Sequence, residues 1–133
     1  MKAILSAMAL LSTFAFAGKA DREFLKSNLN PAITAATAGV LQACGCSMKI
    51  TVGKSIVNEA DMKQAKYIVE EVSTGATKYC TDADSKAAVC KMKSLELAKG
   101  SESKFTFSGS HGVAMTDGQM NPSFDMITAQ LDK

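Results

Sequence analysis

Two kinds of periodicity and an even set of cysteines predict an α+β domain stabilised by disulfides, with N-terminal helices packed on a mainly antiparallel sheet of about four strands. The helical period is clearest between residues 59 and 80. There Met62, Ala65, Ile68, Val69, Val72, Ala76 and Tyr79 or Cys80 make one apolar stripe, backed by Lys63, Lys66, Glu70 and Glu71. The strand period of two recurs around residues 50, 95, 106 and 114. Cys44, Cys46, Cys80 and Cys90 supply the covalent framework.

The elements follow in order. Asp21 to Leu29 begins with acids, which suit a helix N-terminus, and carries Phe24, Leu25 and Leu29 near one face. Asn30-Pro31 then reads as a second helix start, with Asn30 as N-cap and Pro31 in the first turn. Ile33, Ala36, Thr37, Val40 and Cys44 continue it at helical spacing. Its many alanines and glycines allow close approach of neighbours, so the sequence predicts that this is the central buried helix. Met48, Ile50 and Val52 alternate with Lys49 and Thr51 as a half-buried strand ended by Gly53. Asn58 caps the long amphipathic helix, which Ser73-Thr74-Gly75 threatens to end early. Thr81 to Cys90 fits either a short capped helix or a loop.

Lys93 to Ala98 alternates as a strand, and Lys104 to Thr116 reads as a hairpin. A three-residue loop, Gly109-Ser110-His111, sets Phe107 opposite Val113 and Phe105 opposite Met115, with all four side chains on one face. Asp117-Gly118 is a further turn. Asn121-Pro122 repeats the cap-and-proline pattern before Phe124, Ile127 and Leu131, which fit a final short helix better than a last strand.

The N-terminus has the form of a cleaved export signal. Lys2 precedes an uncharged apolar run, and Ala15 and Ala17 occupy the −3 and −1 positions of a small-residue cleavage site. The run is shorter than the ~20 residues that a permanent spanning helix needs. The expected organisation is therefore a signal peptide over residues 1–17, cleaved after Ala17, and one exported domain over residues 18–133, periplasmic or secreted. The short basic start looks bacterial. Removing Lys2 with the leader lowers the formal charge from +2 to +1. So weak a charge, with no clustered lysines, argues against nucleic acid as a partner. No second stretch in the chain is apolar enough to anchor it stably in a membrane.

Four cysteines in an exported chain point first to structural bridges. Three pairings are open. A Cys44–Cys46 bond closes a very small ring and leaves Cys80 to Cys90, whereas the other two pairings tie the Cys44-Gly45-Cys46 corner to the third helix and beyond. A strained, reducible Cys44–Cys46 pair is the basis of the competing thiol–disulfide exchange reading. Its place at a helix C-terminus disfavours the thiolate that such chemistry needs. The cysteine spacing is not that of a zinc framework. His111, Met115 and Met120 contain ligand types suited to copper, but the hairpin reading sends Met115 to the core and His111 to a turn tip.

Asp82-Ala83-Asp84-Ser85 imitates a calcium loop, yet Lys86, Ala87 and Lys93 occupy positions where the loop needs a ligand, glycine and glutamate. His111 forms no triad motif by spacing, and no phosphate loop is present. The expectation is thus a small exported domain, not an enzyme and without a cofactor, that binds a protein, peptide or small ligand. The binding surface is either the concave sheet face or the hairpin tip at Ser108 to Gly112, where Ser110 and His111 are the candidate binding residues.

Overall fold

The computed structural model of this protein describes residues 18–133. The signal peptide expected over residues 1–17 lies outside the described residues. The elements are α1 (Lys19–Phe24), a π-helical turn (Leu25–Leu29), α2 (Asn30–Cys44), β1 (Lys49–Val52), α3 (Glu59–Tyr79), α4 (Ala83–Cys90), β2 (Ser94–Lys99), β3 (Lys104–Ser108), β4 (His111–Thr116) and α5 (Phe124–Leu131). The α+β class, the four strands and the disulfides are as the sequence predicts.

Asn30 does not start a new helix. Its backbone is helical (φ −59°, ψ −44°), and the path from Lys19 to Cys44 is continuous. Pro31 lacks an N–H, and in a regular α-helix its ring would press on the Ser27 carbonyl. The wider π turn just before it, closed by Asn30 N–H donating to Leu25 O, accommodates the proline without breaking the helix. At the far end Gly45 adopts φ +79° and its N–H donates to Leu41 O at 2.9 Å, a left-handed stop that glycine makes easily.

The central helix is α3, not α2. In α2 only Ala36, Val40 and Cys44 are buried, whereas α3 buries Asp61, Met62, Ala65, Ile68, Val69, Val72 and Ala76. The small residues of α2 work on one face: a Cβ on Gly39 would lie 2.8 Å from Ser73 Oγ of α3. Ser73-Thr74-Gly75 does not end α3, because Gly75 is where the Phe124 ring packs on the helix surface. Asn58 caps α3 through Asp61 N–H at 2.9 Å, and Asp21 of α1 accepts from Glu59 N–H at 2.8 Å. Thr81 to Cys90 resolves as a helix started by a reciprocal capping box between Asp82 and Ser85. In α5 the cap is Ser123 rather than Asn121, with Pro122 placed before the helix.

The sheet corrects the expected strand directions. Its order is β1-β2-β4-β3, with β1–β2 and β2–β4 parallel and only β3–β4 antiparallel. The β1–β2 connection contains α3 and α4, long enough for a parallel crossover. After β2, β3 runs back along the outer position and β4 returns between them. The hairpin loop is also one residue shorter than expected. Ser108 pairs with His111, so Gly109-Ser110 alone forms the turn, with Gly109 at φ +63° as primed hairpin turns require. The pairs become Phe107 with Gly112 and Phe105 with Ala114. This one-residue slip moves Val113 and Met115 to the opposite face from the two phenylalanines.

One sheet face packs under the helices and carries Ile50, Leu95, Leu97, Phe105, Gly112 and Ala114, all buried. The core between this face and the helices includes Leu29, Val40, Ile56, Met62, Ile68 and Leu131, each at most 1% exposed.

Candidate functional site

Among the described residues no helix lies over the other face of the sheet. Alternation along the strands brings Lys49 and Thr51 of β1, Ser94, Glu96 and Ala98 of β2, His111, Val113 and Met115 of β4, and Lys104, Thr106 and Ser108 of β3 to this side. Parallel register sets Ser94 beside His111, antiparallel register sets Ser108 on its other flank, and Lys49 lies across from Ser94.

His111 sits at the centre of a side-chain cluster. Its Nδ1 lies 2.6 Å from Ser94 Oγ, and its Nε2 lies 3.6 Å from Glu96 Oε1. The imidazole and the carboxylate are 46% and 39% exposed, so both reach solvent while fixed on a rigid strand. The hairpin tip is anchored too: Ser110 O accepts from Lys93 N–H at 2.8 Å and Ser94 N–H at 3.3 Å. The structure thus places Ser110 in the turn and His111 at the first position of β4. It joins His111 to two residues the sequence reading did not single out, Ser94 and Glu96. Their alternation with Leu95 and Leu97 already put them on the solvent side of a strand. Their meeting with His111 depends on the parallel β2–β4 pairing, which no local pattern encodes.

A Ser–His–Glu contact resembles a nucleophile, base and orienting acid only in composition. Ser94 lies in a strand on an open face rather than in a strained elbow or a closed cleft, and its own N–H donates to Ser110 O, so it is not free to hold an oxyanion. The arrangement suits recognition: a hydroxyl, an imidazole and a carboxylate held in fixed relative positions beside the apolar Val113.

His111, Met115 and Met120 do not converge. Met115 is four residues along β4, roughly 13 Å away at strand rise, and it lies against Gly100. Met120 O accepts from Thr116 Oγ1 at 2.9 Å, which puts Met120 beyond the opposite end of β4 from His111. Among the described residues no group of three or more His, Cys, Asp or Glu side chains is placed to hold a metal ion.

The cysteines pair as Cys44–Cys80 and Cys46–Cys90, with Cα separations of 5.3 and 5.8 Å, and no free cysteine is found among the described residues. Cys44 and Cys46 are not bonded to each other. Cys44–Cys80 ties the last residue of α2 to the end of α3, Cys46–Cys90 ties the turn after α2 to the end of α4, and Cys44 and Cys80 are buried in the core cluster.

Two further polar contacts act in the fold. Tyr79 OH donates to the Asp132 carboxylate, 2.7 and 2.8 Å from its two oxygens, while Lys91 Nζ donates to Leu131 O at 2.8 Å; together they hold the end of α5. That hydrogen bond is the main cause holding the Tyr79 phenol above its ordinary pKa, with desolvation and the charges of Asp132 and Asp82 adding to it. The buried Asp61 carboxylate is paired with Lys99 Nζ at 3.4 Å.

No protein-family model, curated protein or solved structure matches this chain. Among the described residues no helix is long and apolar enough to cross a membrane.

Proposed function

We propose that this chain is a small exported binding domain, not an enzyme, that recognises a protein, peptide or small ligand with the face of its sheet opposite the helical layer. The observation that carries this reading is the Ser94–His111–Glu96 cluster, set rigidly on that face beside Val113 and the Ser110 turn. The two disulfides support export, because such bonds persist in oxidising compartments. The leader over residues 1–17, with cleavage after Ala17, supports it independently. The long-range pairing of all four cysteines favours staples over thiol–disulfide exchange.

The test is affinity capture from the exported fraction of the source cells, with wild type and Val113→Asp as parallel baits. The substitution puts a charge at the centre of the face and leaves the core untouched. A ligand or protein retained by wild type and lost by the variant, with unchanged circular dichroism, is the expected result. Equal retention by both baits, or no specific retention by either, overturns the reading.

A further inference from the structure

We infer that His111 and Glu96 form a two-donor site for a divalent transition-metal cation of the zinc class on the open sheet face. The inference goes beyond the binding reading above and stands whether or not a macromolecule docks there.

His111 Nε2 and Glu96 Oε1 are 3.6 Å apart, too long for a good hydrogen bond. A shared metal can span it: with zinc–nitrogen and zinc–oxygen bonds near 2.1 Å, the angle at the metal is about 118°, opened by about 10° from tetrahedral. The ring is oriented for this role. In the tautomer whose Nδ1–H donates to Ser94 Oγ at 2.6 Å, Nε2 is unprotonated and keeps a lone pair for a metal, 3.6 Å from Glu96 Oε1. A hydrogen bond from the second ring nitrogen is the usual support of a metal-bound imidazole.

The donor chemistry then selects the cation. One imidazole and one carboxylate suit zinc, nickel or copper(II), whereas calcium and magnesium demand several oxygens. Lys49 lies across from Ser94 on the same face. Its charge counts against hard cations held by electrostatics alone and leaves the directional imidazole bond as the main source of affinity. Exposure of 46% and 39% leaves room for water to complete the coordination shell.

The experiment is a zinc titration of the purified, disulfide-bonded protein at neutral pH, read by calorimetry and by the His111 ring resonances, with calcium in parallel. A saturable one-to-one zinc isotherm is expected, with the His111 resonances shifting in step and no response to calcium. Glu96→Gln should weaken zinc binding at least tenfold, and His111→Gln should abolish it. Absence of a His111 shift in wild type, an equal response to calcium, or wild-type affinity in Glu96→Gln overturns the site. The ring resonances of wild type decide the matter even if a variant folds poorly.

Discussion

Replacing Cys44 and Cys80 with alanine removes one of two crosslinks that share a single circuit, and this sharing sets the size of the loss. Taken alone, the Cys44–Cys80 bond closes a separation of 36 residues and Cys46–Cys90 one of 44. Loop-closure entropy gives each about 4 kcal/mol as the sole crosslink. The loops overlap, however. With Cys46–Cys90 intact, Cys44 reaches Cys80 by two residues to Cys46, across the bond, and ten residues back from Cys90. The second crosslink therefore closes a circuit of only about a dozen residues and adds about 3 kcal/mol. Either pairwise removal should cost about 3 kcal/mol and removal of both about 7, more than the two single losses together. The entropy terms are equal for the two pairs, so any excess at Cys44 and Cys80, which are 4% and 7% exposed, measures lost packing. Denaturant unfolding of the two double variants and the quadruple variant, without reductant, measures all three values. Strictly additive losses near 4 kcal/mol each would refute the shared-circuit argument.

Three other outcomes are expected. Gly75→Ala would drive a methyl into the Phe124 ring and should cost about 1–3 kcal/mol, seen as a lower melting temperature. The hairpin register predicts that Val113→Asn costs less than about 1 kcal/mol, whereas Ala114→Asn, at a fully buried position, costs about 2 or more; urea unfolding that reverses the order would restore the longer loop. The third concerns pH. Because the folded Tyr79 pKa is raised, its contribution is present below the ordinary phenol value near 10 and fades as pH rises through the raised value. Tyr79→Phe should flatten that alkaline limb in unfolding midpoints. Backbone hydrogen bonds lower the pKa values of Asp82, through Ser85, and of Asp117, through Met120 and Gln119. Their contributions are therefore present above the ordinary carboxylate range and lost as pH falls through the lowered values, so Asp82→Ala and Asp117→Ala should flatten the acid limb.

What was readable from the chain follows the range of each interaction. Asn58 and the Met62–Ala76 stripe mark α3 because caps and helical faces are local features. The strands came through for the same reason, since alternation needs no partner. Strand direction is different: Ile50 and Leu95 show the same pattern whether β1 and β2 run together or opposed. The hairpin depends on one residue: with His111 in the loop, every side chain after it would face the other way. The candidate site inherits that distance dependence. His111 stood out as the lone histidine, but Ser94 and Glu96 acquired meaning only once β2 lay beside β4. Gly75 was similarly opaque, because its cause is the ring of Phe124, far along the chain.

The π turn gives the N-terminal segment a sensitivity to length that its exposed position conceals. Each residue in a helix advances the spiral by about 100°, so the surplus residue at Leu25–Leu29 sets the azimuth of α1 relative to α2. Deleting one residue there and exchanging Pro31 for alanine would leave a smooth rod of unbroken hydrogen bonds. The same change would swing Asp21 about a quarter-turn away from Glu59 N–H and unclasp the start of α3.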